Sequence, residues 1–252
     1  MPEERKKKKK LPSRKVKGAK EIDTYHHGDL RGTLIDAALK ILETGSSDSL
    51  SLRELARLVG VSQSAPYRHF KNKEELLAAI SQQGFELQFN YMREAVRTYR
   101  NQPTELFFQC AISYFRMGLS HRQHYRLMFS GGVTPSPECK ELHQAASSTF
   151  ILLRDVIRIC QKAGVLGAGD AYHRAFHCWS VVNGFTSLYV EGRLSWLGVT
   201  EDNAIAALRT LMGQYLRGAQ GDLDLSQEGM TLFQGELPAS YLADMEMIRF
   251  ED

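Results

Sequence analysis

The stretch of residues 51–73 constrains the fold most, because it predicts two short helices joined by a tight turn. Ser51 and Glu54 have the spacing of a capping box, in which a hydroxyl and a carboxylate satisfy two backbone N–H groups at a helix start. Apolar residues then recur at three- and four-residue spacing as far as Gly60. Glycine readily adopts the left-handed backbone that ends a helix. This stretch therefore begins with a helix that stops at Gly60.

The second helix of this pair has a polar face that packing alone does not require. It is predicted from Gln63 to about Phe70, with Ser62 as its cap and Pro66 in its first turn, where proline removes few backbone bonds. Within an arc of roughly 140° lie Gln63, Ser64, Tyr67, Arg68 and Lys71. In helix-turn-helix proteins the second helix enters the major groove, where Gln and Arg read base edges. The pattern therefore predicts a DNA-binding helix.

A third helix is predicted to begin after Asn72, with Glu75 in the capping-box position. Lys73 lies in its first turn, where the helix dipole disfavours a cation. A DNA phosphate on this helix N-terminus, held by free N–H groups and by Lys73, would remove the conflict. A solvated Lys73 with a small unfavourable dipole energy is the alternative.

These residues resemble the TetR/AcrR family of regulators. The resemblance is carried by Val61-Ser62, Tyr67, His69-Phe70 and Asn72-Lys73-Glu74 followed by two leucines, and by residues 25–31 (YHHGDLR), which resemble the opening of one branch. It implies a three-helix DNA-binding domain, a helical ligand-binding and dimerising domain, and repression at double-stranded operator DNA relieved by a small molecule. The predicted DNA contacts are Ser51, Arg53, Ser62, Gln63, Ser64, Tyr67, Arg68, His69, Lys71 and Lys73.

Charge is distributed unevenly along the chain. Residues 1–20 hold ten Lys or Arg against two Glu, which predicts a disordered basic arm. It is either a solubilising tail or an arm that binds phosphates or the minor groove. Residues 21–81 hold seven Lys or Arg against nine Asp or Glu, so their net charge does not favour DNA. Residues 219–252 hold eight acidic residues against one Arg and are predicted to be an acidic extension without an assigned function.

The remaining periodicity is helical throughout, so the predicted fold class is all-α. A first helix is predicted from Asp29 to Thr44, and an unbroken helix from Lys73 to Tyr99 joins the two domains. Further helices are predicted over Thr104–Ser120, a shorter segment through Phe129, Pro137–Ala163, Asp170–Leu194 and Glu201–Arg217. The predicted organisation is a basic arm (1–20), a helix-turn-helix domain (21–80), a ligand-binding and dimerisation domain (81–218) and an acidic extension (219–252).

The aromatic residues of the C-terminal part either fill a core or line a pocket between helices for a small, mostly apolar effector. The predicted pocket residues are Phe107, Phe108, Tyr114, Phe115, Tyr125, Phe129 and Trp179. The helix Asp170–Leu194 is too apolar to face solvent, which favours a four-helix bundle in a homodimer. The predicted interface residues are Phe150, Trp179, Val182, Gly184 and Tyr189. Trp179 with Asn183-Gly184 resembles a Trp-His-Gly signature of related C-terminal domains, with Asn in place of His.

Other functions find less support in the sequence. Two histidine pairs have metal-compatible spacing, but no catalytic motif accompanies them, so no metal, cofactor or enzyme activity is predicted. The four cysteines lack the close pairs of metal or dithiol motifs and are interpreted as buried thiols, with a redox pair as the alternative. No apolar run could span a bilayer, so a cytoplasmic location is expected. The alternative function is a helical enzyme or interaction adaptor that uses the motif for another purpose.

Overall fold

The computed structural model describes residues 29–45, 50–130, 133–136 and 138–219, and these residues contain helices and no strand. The basic arm, residues 25–28 and the acidic extension beyond residue 219 lie outside the described residues. The α-helices within this part of the chain are α1 (Leu30–Thr44), α2 (Leu52–Val59), α3 (Lys73–Tyr99), α4 (Pro103–Ser120), α5 (Arg122–Ser130), α6 (Lys140–Lys162), α7 (Ala171–Val190) and α8 (Ala204–Gly218). The all-α prediction is confirmed.

The first two helices begin and end as their sequence signals predict. The Asp29 carboxylate caps α1 by accepting a hydrogen bond from the Gly32 N–H at 2.9 Å. The Ser51 hydroxyl accepts from the Glu54 N–H at 3.2 Å at the start of α2. Gly60 ends that helix with a φ of 75°, in the left-handed region that favours glycine.

The prediction of a second α-helix from Gln63 to Phe70 is wrong, because the helix found there is of the 3₁₀ type and is much shorter. A turn leads into a short 3₁₀ helix, Pro66–Arg68. Its hydrogen bonds run mostly from each N–H to the carbonyl three residues back, and the Ser62 carbonyl accepts from Ala65 at 3.0 Å. Pro66 has no N–H to give the Ser62 carbonyl the bond that an α-helix would make. The first α-helical turn is therefore not closed here.

The third helix, α3, is a single helix of 27 residues, as predicted. The Asn72 side chain accepts from the Glu75 N–H at 2.9 Å. The Glu75 carboxylate accepts from the Lys71 N–H at 2.5 Å rather than from the Asn72 N–H that the capping box predicts. Asn72 is thus the cap that the sequence predicts, and only the donor to the Glu75 carboxylate differs, being Lys71 in place of Asn72.

The helix predicted over Asp170–Leu194 ends earlier, at Val190. Gly192 has a φ of 69° and donates to the Tyr189 carbonyl, while the Arg193 N–H donates to the Leu188 carbonyl at 2.8 Å. This is the Schellman pattern that terminates helices at a glycine. The helix predicted from Pro137 likewise begins only at Lys140.

Two apolar cores share α3. The N-terminal core contains Leu34, Leu55, Phe70, Leu76 and Ile80 from the first three helices and the 3₁₀ segment, together with Leu127 of α5. The larger C-terminal core is built from the later part of α3 and from the helices that follow it. Because one rigid helix belongs to both cores, a displacement in one can reach the other.

Three of the cysteines, Cys110, Cys160 and Cys178, are buried free thiols. Burial raises the pKa of the Cys160 and Cys178 thiols to about 12, and it raises the pKa of Cys110 as well. Their thiols are therefore protonated at neutral pH and weakly nucleophilic. Cys139 is half-buried.

Candidate DNA-binding face and ligand cavity

The predicted DNA contacts are solvent-accessible side chains around the 3₁₀ helix. All ten are exposed except Lys73, which is half-buried. Tyr67 is 47% exposed, so its ring contributes little to the core. Pro66 and Phe70 face inward instead, and the Arg31 guanidinium lies 5.4 Å from the centre of the Phe70 ring. The apolar residues of this segment anchor it, and the polar residues remain available for a partner.

The start of α3 lies next to this face along the chain. The Asn72 side chain satisfies only the Glu75 N–H, which leaves the N–H groups of Lys73 and Glu74 without acceptors inside the helix. Such free N–H groups at the positive end of a helix dipole favour an anion. Lys73 adds a positive charge and exposed Glu74 adds a negative one.

The C-terminal domain contains a cavity of about 370 Å³. Five helices and the segment 133–135 enclose it. The described lining residues are Phe85, Gln88, Met92, Tyr114, Met128, Phe129, Val133, Thr134, Pro135, Ala146, Thr149, Phe150, Leu153 and Trp179. None of these residues carries a charged side chain. The size and the apolar walls are those of a site for a small organic molecule.

Three of the seven predicted pocket residues, Tyr114, Phe129 and Trp179, line this cavity. The other four lie outside its lining. Phe107 and Phe115 are fully packed in the C-terminal core, and Tyr125 is buried beside α7. Phe108 is half-buried under the Arg209 guanidinium, 4.4 Å from its ring centre.

Residues that sequence reasoning did not assign to the cavity also line it. Phe150, predicted at the dimer interface, is one of them, and α3 contributes Phe85, Gln88 and Met92. A signal for Gln88 is visible in the sequence. It interrupts an apolar stripe, with Phe85 three residues before it and Met92 four residues after it. A polar residue on a buried helix face marks a site that needs a partner.

A hydrogen-bond network centred on Asn183 supports one wall of the cavity. The Trp179 ring N–H donates to the Tyr114 hydroxyl at 3.2 Å, and that hydroxyl donates to Asn183 Oδ1 at 2.8 Å. The Tyr125 hydroxyl donates to the same Asn183 oxygen at 2.8 Å. Burial raises the pKa of Tyr125 to about 12 and that of Tyr114 as well, so both remain donors at neutral pH. Asn183 thus joins α4, α5 and α7 by accepting two bonds.

The predicted interface residues are divided between the interior and the surface. Phe150 and Trp179 line the cavity, and Val182 is buried within the protomer at 3% exposure. Gly184 faces open space, since a Cβ built on it would meet nothing within 4 Å. Tyr189 is half-buried. Large exposed apolar residues on and after α7, which the sequence did not mark, are Leu188, Trp196 and Leu197.

The histidine pairs do not form a cluster with other ligands in the described residues. His173 Nδ1 lies 3.3 Å from the Asp170 carboxylate that caps α7, and His177 is exposed. The rings of His121 and His124 meet edge to face at 5.8 Å. Across the described ranges, no group of three or more His, Cys, Asp or Glu side chains could hold a metal ion. Nor does any helix described here have the length and apolar character needed to cross a membrane.

Comparison with known families matches both parts of this architecture. Residues 34–80 match the bacterial regulatory proteins of the tetR family, and residues 107–215 match the tetracyclin repressor-like C-terminal domain. The chain belongs to the TetR family. The first match includes α2 and the 3₁₀ segment, and the second includes the α4, α5, α6 and α7 parts of the cavity wall.

Three relatives give the extent of the similarity. The chain is 43% identical over 51 residues to the tetracycline repressor protein class D of Escherichia coli, a match that spans 20% of this chain and only 23% of that repressor. A structure of a protein of unknown function from Rhodococcus sp. RHA1 is 30% identical, with a TM-score of 0.65, over 79% of this chain and 100% of the other. The Bacillus subtilis regulator FadR, solved in complex with stearoyl-CoA, is 12% identical over 74% and 98% of the two chains, with a TM-score of 0.60, and shares the fold.

Proposed function

We propose that this TetR-family chain is a ligand-responsive transcriptional repressor that binds a palindromic operator as a homodimer and releases it when a small, mostly apolar molecule occupies the cavity. One observation carries this proposal. The unbroken helix α3 starts at the DNA-binding face with Lys73 and supplies Phe85, Gln88 and Met92 to the cavity wall. Membership of a family of regulatory proteins favours this function over the enzyme or adaptor that the sequence left open.

In this proposal the residues of the DNA-binding face divide their work. Gln63 and Arg68 read base edges in the major groove, and Ser64, Tyr67 and Lys71 hold phosphates. Lys73 and the free N–H groups at the start of α3 bind a further phosphate. The remaining predicted contacts are proposed to bind the same DNA backbone. They are Ser51, Arg53, Ser62 and His69.

Two substitutions test this division. Lys73→Ala is expected to weaken binding to all DNA sequences alike and to lower the salt dependence by about one phosphate contact. Gln63→Ala is expected to relax the base preference at one position of each half-site. Selection from a random DNA library, followed by salt titration of the selected sites, measures both effects. Specificity unchanged by Gln63→Ala would remove that residue from base reading.

The switch is proposed to act through α3 and α5. Leu127 belongs to the N-terminal core, whereas its neighbours Met128 and Phe129 line the cavity. A ligand that displaces Met128 or Phe129 moves Leu127 against α1. Thermodynamic reciprocity then requires that DNA weaken ligand binding by the same factor as ligand weakens DNA binding, on the order of ten- to a hundredfold. Thermal-shift screening with and without operator DNA measures both directions.

The names of two relatives mention tetracycline and stearoyl-CoA, which are very different molecules. Neither name therefore identifies the effector of this chain, and its own cavity gives the relevant chemistry.

Homodimerisation is proposed to use the outward side of α7. Gly184 faces open space there, and Leu188 is 44% exposed although it is apolar. An apolar helix face of this kind can be covered by the same face of a second copy. Leu188→Arg is expected to shift the protein toward monomer in sedimentation equilibrium. A wild-type protein that stays monomeric at micromolar concentration, with and without DNA, would contradict the proposed dimer.

A further inference from the structure

We propose that the cavity binds an uncharged molecule made of an apolar ring system and one polar group. This polar group both donates and accepts hydrogen bonds, and it pairs with the side-chain amide of Gln88. The description of this molecule as an effector rests on the proposed function above. Its chemical class rests on the cavity alone.

Gln88 is the polar group of the wall that lacks a partner. It is 0% exposed, and neither its Oε1 nor its Nε2 has a hydrogen-bond partner among the described residues. Buried side-chain amides nearly always have partners, because an unsatisfied one loses its hydration without compensation. An amide placed in this way on the wall of a cavity is suited to a partner that enters from outside the chain.

The other buried polar groups of the wall are already bonded within the protein. The Thr149 hydroxyl lies 3.0 Å from the Ala145 carbonyl and 3.2 Å from the Phe85 carbonyl. Trp179 donates to the Tyr114 hydroxyl, which in turn donates to Asn183. Thr134 is exposed to solvent. Each of these three bonded groups already donates its only polar hydrogen, so a ligand acceptor there must displace an existing bond, whereas Gln88 has both an unused donor and an unused acceptor.

The wall also determines the charge of the ligand. Its described residues offer aromatic rings, aliphatic groups and thioethers, and no cation or anion. Moving an ionised group into such surroundings without a counter-charge is strongly unfavourable. A carboxamide has an oxygen that accepts and an NH₂ group that donates, so a neutral ligand amide can pair with the Gln88 amide in both directions.

The Gln88 amide is covered in the present conformation, so binding requires a local movement. Met92 lies one helical turn further along α3, and Met128 lines the same cavity from α5. Methionine side chains are unbranched and readily change conformation. We expect a conformational change of one of these side chains, which leaves the helices in place, to give the ligand access to the amide.

Three probes of matched shape test the proposal: 2-naphthamide, the anion 2-naphthoate and the hydrocarbon 2-isopropylnaphthalene. Binding is followed by fluorescence of Trp179, which lines the cavity, in a Trp196→Phe background. Trp196 is 80% exposed and outside the cavity, so its removal leaves a single reporter. The expected result at neutral pH is that 2-naphthamide binds at least about tenfold more tightly than 2-naphthoate.

Gln88→Met, of similar length, removes the amide. It is expected to change the ratio of amide to hydrocarbon affinity by about ten- to a hundredfold in favour of the hydrocarbon. Ser81→Ala is the matched control. Ser81 is also buried on α3 with an unpartnered hydroxyl, but it does not line the cavity. This control should leave the ratio at its wild-type value. Both variants should unfold at temperatures equal to or above the wild type, because each loses an unsatisfied polar group.

A ratio unchanged by Gln88→Met, equal affinities for amide and anion, or no binding of any probe overturns the proposal. If Gln88→Met fails to fold, the side-chain ¹⁵N–H₂ signal of Gln88 in the wild-type protein decides, since it must shift with 2-naphthamide and not with the hydrocarbon. A separate gel-shift titration with 2-naphthamide tests the switch. If Gln88→Met changes the affinity ratio but 2-naphthamide does not affect DNA binding, the proposed class of ligand is supported and the proposed switch is contradicted. If 2-naphthamide weakens DNA binding but Gln88→Met leaves the ratio unchanged, only the proposed class of ligand is contradicted.

Discussion

The DNA-binding face and the ligand cavity are assembled in different ways. The face comes from one short stretch, residues 51–73, in which caps, a glycine and a proline determine the backbone, and the proposed DNA contacts are exposed except for half-buried Lys73. The cavity comes from five helices, and its lining runs from Phe85 to Trp179. Its side chains serve both the fold and the site.

This difference predicts how the two regions respond to substitution. Apart from the Ser51 cap, an exposed side chain of the face contributes little to the free energy of unfolding, so its removal changes binding alone. A residue in or beside the cavity wall is packed and hydrogen-bonded, so a change there alters stability together with binding. The substitutions below test this difference, beginning with those that are expected to change stability most.

Among the residues in or beside the cavity wall, the largest effect is expected at Asn183. Asn183→Leu removes the acceptor shared by the Tyr114 and Tyr125 hydroxyls, which are buried. The expected loss is about 3 kcal/mol of unfolding free energy, because the Tyr114 hydroxyl is left without an acceptor and the Tyr125 hydroxyl keeps only the Asn183 carbonyl and Ser187 Oγ, each at 3.1 Å. Asn90→Leu on the exposed side of α3 is the control and should stay within about 0.5 kcal/mol of the wild type. Urea denaturation compares the two, and equal effects would show that the network does not stabilise the cavity wall.

Close packing between α4 and α7 gives the next effect. A Cβ on Gly118 would lie 2.7 Å from the Thr186 methyl and 3.2 Å from the Tyr125 ring. Gly118→Ala is therefore expected to cost about 1–3 kcal/mol through overpacking. Gly213→Ala in α8 meets only contacts of 4.0 Å and should instead stabilise the protein by about 0.5–1 kcal/mol through helix propensity. Thermal unfolding distinguishes these opposite signs, and a stabilised Gly118→Ala variant would mean that the two helices separate easily.

An acid-dependent effect is expected where the two domains meet. Burial lowers the pKa of His124 from 6.5 to about 4, aided by His121 and opposed by Asp36 of α1. The unfolded chain therefore binds a proton more readily, so this contribution to stability is complete above pH 6.5 and is lost as the pH falls toward 4. The expected loss is about 1–2 kcal/mol, discounted for partial exposure. His124→Gln should flatten the difference in stability across this window, and parallel curves for both proteins would assign the dependence to other groups.

The difference between a site built from one stretch and a site built from distant helices also explains which features the sequence predicted correctly. The start of α1, both ends of α2 and the start of α3 followed from local signals at Asp29, Ser51, Gly60 and Asn72. The sequence predicted an α-helix in place of the 3₁₀ segment because a proline in the first turn of a helix usually removes few hydrogen bonds. In this short segment the missing N–H of Pro66 is one of the few that could close an α-helical turn.

The cavity was accessible to sequence reasoning only in part. Aromatic residues such as Phe115 and Phe129 look alike in the sequence, yet one is packed in the core and the other lines the cavity. That choice depends on the crossing of helices distant in the chain, which periodicity does not encode. Gln88 also has a local signal, a polar residue within an apolar stripe, although it was not among the predicted pocket residues.

The smallest effect on stability is expected at the DNA-binding face, where Gln63→Ala and Tyr67→Ala should each change the unfolding free energy by no more than about 0.5 kcal/mol. Both side chains are exposed, and in the part of the chain that the structure describes neither has a hydrogen-bond partner. Pro66 and Phe70 are the buried residues that pack this segment against the core. Phe70→Ala is therefore the contrasting variant and should lower the free energy of unfolding by about 3–5 kcal/mol. Chemical denaturation measures stability, and a gel shift measures DNA affinity on the same samples. A Tyr67→Ala variant that lost stability in proportion to its loss of affinity would show that this face, like the cavity, is part of the packed fold.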